Sequence, residues 1–229
     1  MDAQPTAGAA RRRCATVYGV LLNDQASWQR MEAAFQAPPY HAAPRAPVLY
    51  LKPGNTHAAD GATVHIPADP GQVLVNASIG LVLSRAATRL RADDALACVG
   101  AHLIASDLAL PHASVYRPAL RQRCRDGFLP MGLPVRADTR FDYARAEAVT
   151  FLNGVEVERR GFAQLRRPPA QLLADVTEFM TLDRGDVLLL GANDTAVLAR
   201  PGDAVRIEIA GLGQLAYRVA LDDAEEDVT

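Results

Sequence analysis

Apolar positions along the chain fall mostly into short alternating or continuous runs bounded by turn residues, with few stretches of helical period. VLVNASIGLVLS (73–84) is nearly unbroken and reads as a strand buried on both faces. ATVYGVLL (15–22), VLYLK (48–52), GATVHIP (61–67) and AHLIASDLAL (101–110) predict further strands, and FLPMGLPV (128–135) a strand interrupted by proline. AEAVTFLNGVEVERRG (146–161) predicts a hairpin that turns at Asn153-Gly154. Near the C-terminus the turns DRGD and RPGD introduce the runs VLLLG and AVRIEIAGLGQLAYRVAL. Helical period is confined to 24–36, with Asp24 as N-cap, to 91–99, and to 168–180, where Leu172, Leu173, Val176 and Phe179 share one face. Pro38, Pro39, Pro44 and Pro47 hold an extended loop between the first helix and the second strand. The pattern predicts a β-rich α+β fold with a few peripheral helices. Residues 1–13 read as a disordered tail, 14–223 as a single domain and 224–229 as an acidic tail.

Composition narrows the function classes. A chain of 229 residues that is 49% hydrophobic can bury a sizeable core, and with only 6% aromatics Ala, Val and Leu must fill it. A net charge of −2 offers no general attraction to nucleic acid or anionic membranes, and Arg11-Arg12-Arg13 is a local cluster read as part of a solvated tail. No apolar run reaches the roughly 18 residues of a membrane span. MDAQPTAGAARRRC has no apolar core after its charges and is not read as a secretory signal. Cys14, Cys98 and Cys124 form neither a disulfide framework nor a Cys-x-x-Cys knuckle, and Cys98 is expected to be packed. A reducing, cytoplasmic setting is the expectation.

Candidate chemistry enters at the 73–84 strand. Alternate residues of a strand point to one side, so two carboxylates at i and i+2 would make half of a hard-metal site. Here that spacing carries an amide, Asn76, and a hydroxyl, Ser78, while Asp107 stands alone in an apolar run. The order of several motifs adds to this: LKPGNT (51–56), ASDLAL (105–110), RCRDGFLPMG (123–132), FLNGVEV (151–157), LDRGDVLLLG (182–191) and RPGDAVRIEIAGLGQL (200–215). That series resembles the fumarylacetoacetate hydrolase family across nearly the whole chain after residue 15, which implies its mixed β-roll. Two segments, DQASWQRMEAAFQAPPY (24–40) and LPHASVYRPALRQRCRDGF (110–128), resemble one subgroup in particular. It comprises the N-terminal halves of the isomerase/decarboxylases of 4-hydroxyphenylacetate (homoprotocatechuate) degradation.

The resemblance implies a divalent metal, Mg2+ or Mn2+, held by two glutamates of an E-x-E strand and an aspartate. The metal would grip a 2-oxo acid and stabilise the enolate formed on decarboxylation or double-bond shift. Carried over, the glutamates fall on Asn76 and Ser78 and the aspartate on Asp107. Two of three anionic ligands are replaced, so weak or no metal binding is expected. The family's lysine in K-x-x-D-x-F falls on Arg123, which can clamp a carboxylate but not release a proton. A threonine of the late G-T-P motif falls on Ala192, and the family's early His and Glu are replaced within NDQASWQR (23–30). The residues left to carry chemistry are Lys52, Arg123 and Asp126, although Asp126 is also suited to capping a turn.

None of His41, His57, His65, His102 and His112 makes a metal-binding i, i+4 pair, and His112 is the one nearest Asp107 in sequence. GLG (211–213) precedes no helix and is not a dinucleotide loop. Three readings follow. The first is a subunit of a 2-hydroxyhepta-2,4-diene-1,7-dioate isomerase/5-carboxymethyl-2-oxo-hex-3-ene-1,7-dioate decarboxylase, acting on unsaturated 2-oxo dicarboxylates as a homodimer or with a metal-competent paralogue. The second is a non-catalytic structural or regulatory paralogue subunit. The third is a metal-free enzyme built on Lys52 and Arg123.

Overall fold

The computed structural model describes residues 15–112, 119–192 and 197–222. The terminal tails, Cys14, the Arg11–Arg13 cluster and Arg117 lie outside them. In chain order the strands are β1 Val17–Leu21, β2 Val48–Lys52, β3 His57–Ala59, β4 Thr63–Ile66, β5 Val73–Leu83, β6 Val99–Ala109 and β7 Leu129–Met131. They continue with β8 Val135–Arg136, β9 Glu147–Leu152, β10 Val155–Gly161, β11 Val187–Leu189, β12 Val197–Ala199, β13 Ala204–Ile209 and β14 Gly213–Leu221. The helices are α1 Gln25–Met31, α2 Ala92–Ala95, α3 Leu120–Arg123 and α4 Pro169–Phe179.

Two sheets enclose one core. The larger runs β2-β1-β11-β5-β6-β7-β3, with β12 also on β5 and β8 on β6; the smaller runs β10-β9-β13-β14-β4. The centre of the larger sheet is the antiparallel pair β5–β6, in register from Leu74↔Ala109 to Val82↔Ala101. β2 and β6 are separated by three strands in that path, yet Lys52 Nζ of β2 donates to Leu108 O of β6 at 2.8 Å. The sheet is therefore rolled, and β2 folds over the strand that carries Asp107. The two sheets share one hydrophobic cluster, with Val75, Ile79 and Ile104 from the larger and Val205, Ile207 and Leu215 from the smaller. Ser106 Oγ and Tyr217 OH, 2.8 Å apart, tie them by a buried hydrogen bond.

The strand expectations match these elements, and the hairpin turns at Asn153 (φ 51°) and Gly154 (φ 84°), the left-handed pair that its Asn-Gly predicts. Three expectations change. The helix foreseen over 24–36 is α-helical only to Met31 and ends in a tighter 3-10 turn at Ala34–Gln36, which buries Phe35 against Trp28. Asp24 is its N-cap, accepting from Ser27 N at 3.1 Å. The helix foreseen over 91–99 is a single α-turn and a 3-10 turn, because Cys98 O must accept Ser84 N at the entry to β6. The strand foreseen over 128–135 is two, β7 and β8, which pair with different residues of β6 on either side of Gly132–Pro134.

Candidate functional site

Asn76 and Asp107 stand opposite each other in the β5–β6 register, so their side chains share one face, as does Ser78 two residues along β5. All three are buried. Tyr50 and Lys52 alternate on β2 and project together onto the same ground. Lys52 Nζ lies 2.7 Å from Asp107 Oδ1. Arg123 NH1, from the end of α3, lies 3.1 Å from Asp107 Oδ2, and the Tyr50 hydroxyl donates to that same oxygen. The Arg123 guanidinium sits over the Tyr50 ring, 4.8 Å from its centroid.

Lys52 is wholly buried and fixed. Its ammonium donates to the carbonyls of Leu108 and Arg123 at 2.8 Å and of Phe128 at 3.0 Å, which uses all three N–H bonds. These contacts pin the end of β6, the end of α3 and the start of β7 to one atom. Burial pushes the Lys52 ammonium below its ordinary pKa, and Asp107 opposes that. Burial would raise the Asp107 carboxyl, but the Lys52 and Arg123 charges outweigh it and hold Asp107 below the usual carboxylate range. Burial, with Asp107 adding to it, lifts the Tyr50 phenol well above its ordinary value, so it is a neutral donor. The cluster thus carries two cations and one anion.

The donor set does not fit a hard divalent cation. Such an ion takes carboxylate oxygens, yet both oxygens of the sole carboxylate here face an ammonium, a guanidinium and a phenol O–H. Asn76 Nδ2 donates to Asp107 O at 3.2 Å and its Oδ1 is buried without a partner. Ser78 Oγ has only a 3.5 Å contact to Ile79 O. Among the described residues no three His, Cys, Asp or Glu side chains gather as metal ligands would. An amide and a hydroxyl add no negative charge to offset the two cations beside Asp107.

The structure brings Lys52, Arg123, Asp107 and Asn76 together, with Ser78 one step along the same face. It does not bring Asp126 to them: that side chain is exposed and its Oδ1 accepts from Asn55 Nδ2 at 2.7 Å, beside the Arg125–Phe128 turn. His112 is half-buried, with Nδ1 2.9 Å from Leu110 O, and His102 is buried with Nε2 2.6 Å from Tyr143 OH. Cys98 is buried within the core. Tyr50 went unnoticed in the sequence, although its place two residues before Lys52 in a strand puts it on the same face.

The rolled, strand-rich architecture, with Lys52 of the edge strand β2 set onto Asp107 of β6, fits the fumarylacetoacetate hydrolase class of fold. The chain belongs to that family: the model for "Fumarylacetoacetate (FAA) hydrolase C-terminal" matches residues 16–220. It is 36% identical over 208 residues to the 4-hydroxyphenylacetate degradation bifunctional isomerase/decarboxylase of Salmonella dublin, covering 91% of this chain and 48% of that protein. The chain thus spans about half the length of such relatives. A 5-carboxymethyl-2-hydroxymuconate delta-isomerase from Mycobacterium smegmatis superposes with TM-score 0.76 at 25% identity, over 91% of this chain and 79% of that one. A fumarylpyruvate hydrolase from Pseudomonas aeruginosa, solved with Mn2+ and pyruvate, shares the fold at TM-score 0.76 and 19% identity, over 90% of each chain.

Proposed function

We propose that this chain is one half of an isomerase/decarboxylase of 4-hydroxyphenylacetate catabolism, acting on unsaturated 2-oxo dicarboxylates. The metal-dependent step belongs to a paralogous domain or subunit that keeps the two glutamates. The observation that carries this reading is Asp107, whose carboxylate is consumed by Lys52, Arg123 and Tyr50, in a chain matching half of bifunctional relatives. The proposed setting is cytoplasmic; among the described residues no helix is long and apolar enough to cross a membrane.

What the chain's own side chains supply is a fixed positive field, which favours carboxylates and any enolate oxygen presented to it. Among the described residues of this cluster none is placed as a proton shuttle. Arg123 does not release a proton, Lys52 spends its three N–H bonds on carbonyls, and Asp107 is held below the usual carboxylate range by the Lys52 and Arg123 charges. The assay is turnover of the dicarboxylate with Mg2+, by the purified chain alone and after assembly with a metal-competent paralogue. The reading expects little turnover alone and activity in the assembly. Robust turnover by the chain alone, abolished by Asp107→Ala, would overturn it.

The threefold carbonyl grip on Lys52 also favours a second reading, in which the chain is a non-catalytic scaffold for its paralogue. An assembly whose activity is unchanged by Arg123→Ala and Asp107→Ala selects that reading over the first.

A further inference from the structure

Arg160, on β10, is only 4% exposed. Its NH1 donates to Ala77 O at 2.5 Å and to Gly191 O at 2.7 Å, while its Nε and NH2 are buried without partners. Among the described residues no carboxylate lies within ion-pair distance of it. Asp24 and Glu158 act on it from farther away, and the Asp24 carboxylate caps α1. Its Cζ lies 4.8 Å from the centre of the Phe162 ring. A guanidinium stays charged in proteins, and a buried charge whose counter-charges are not in contact with it is costly.

The bonding pattern leaves one edge of the group without a hydrogen-bond partner. The two NH1 hydrogens are spent on two carbonyls, which fixes the guanidinium plane. Nε–H and the adjacent NH2 hydrogen lie side by side and parallel, at the spacing of the two oxygens of a carboxylate. The anchoring carbonyl, Ala77 O, lies between Asn76 and Ser78 on β5, so this unpartnered edge is built onto the very segment where the glutamates are replaced. The Arg160 guanidinium is near enough to Tyr50 to favour its ionised form slightly, although burial keeps that phenol neutral. Beside Tyr50 stands Arg123, whose Nε is a further buried donor without a hydrogen-bond partner. Tyr50 is half-buried, so this neighbourhood reaches solvent there.

We propose that Arg160 anchors a carboxylate-binding site, its Nε/NH2 edge taking one end of a small organic acid without any metal ion. This goes beyond the function proposed above, which gives Arg160 no role, and it holds whether or not the chain turns over a substrate. The test is calorimetric titration of the full chain with oxalate in the presence of EDTA. Saturable one-to-one binding is expected, weakened at least about ten-fold by Arg160→Gln and also by Arg160→Lys, which keeps a charge but loses the fork. If those variants fold poorly, the arginine Nε–H resonances of the wild-type chain give the readout, and a buried one shifts as oxalate is added. Absence of saturable binding by the folded, chelated chain, undiminished binding in folded Arg160 variants, or sulfate competing as well as oxalate would overturn the proposal. An assembled enzyme that is inactive while the chain still binds oxalate counts against the enzymatic reading alone.

Discussion

Asp107 is 1% exposed and faces two cations, so its charge is part of what holds the fold. Its carboxyl is held below the usual range, so its contribution to stability is complete above the unfolded value of about 3.9 and fades as pH falls through the lower folded value. Asp107→Asn leaves Lys52 and Arg123 buried without their counter-ion. Urea unfolding at neutral pH is expected to show a loss of about 3–5 kcal/mol. The gap between variant and wild type should narrow as pH drops below about 4, and a gap independent of pH would contradict this account. Lys52→Met removes the tie between three carbonyls as well as the ion pair, and a loss of similar size, about 3–5 kcal/mol, is expected in the same measurement. The sequence shows Asp107, Lys52 and Arg123 as suspects by their motifs, but it does not show that they neutralise one another. Arg160 was out of reach. β10 reads as an exposed strand with two arginines in a row, and a register shift between Glu156 and Glu158 decides which of them turns inward.

At the scale of elements, Tyr50 reaches Asp107 because its partner across the β1–β2 ladder is Gly19. A Cβ at position 19 would stand 2.0 Å from Tyr50 Cζ. Gly19→Ala must push the ring away from the bare backbone it lies on, and with it the hydroxyl that touches Asp107. The expected cost is about 1–3 kcal/mol in thermal or urea unfolding. Tyr50→Phe keeps the ring, so it should cost less than Gly19→Ala; the reverse order would show that the ring's position does not matter. Strands were legible because β5 and β6 are long, apolar and branched, and because Asn153-Gly154 can hardly do anything but turn. Helix lengths were less legible. Leu96–Cys98 has the composition of a helix, but the demand of Ser84 for Cys98 O converts its last turn and sends the chain into β6.

On the scale of the whole molecule, the roll of the larger sheet turns distant sequence segments into one cluster: Tyr50 and Lys52 from an edge strand, Asp107 from the centre, Arg123 from a short helix, Arg160 from the other sheet. The motif order announced the family, and the Asn76/Ser78 pair raised the question of an altered metal site. Neither could show that Lys52 and Arg123 converge on Asp107, since that depends on how far the sheet curls. Titration of the purified chain with Mn2+, followed by calorimetry or by the manganese spin resonance signal, asks the central question directly. The account predicts no saturable site at millimolar metal, whereas one-to-one binding lost in Asp107→Ala would contradict it.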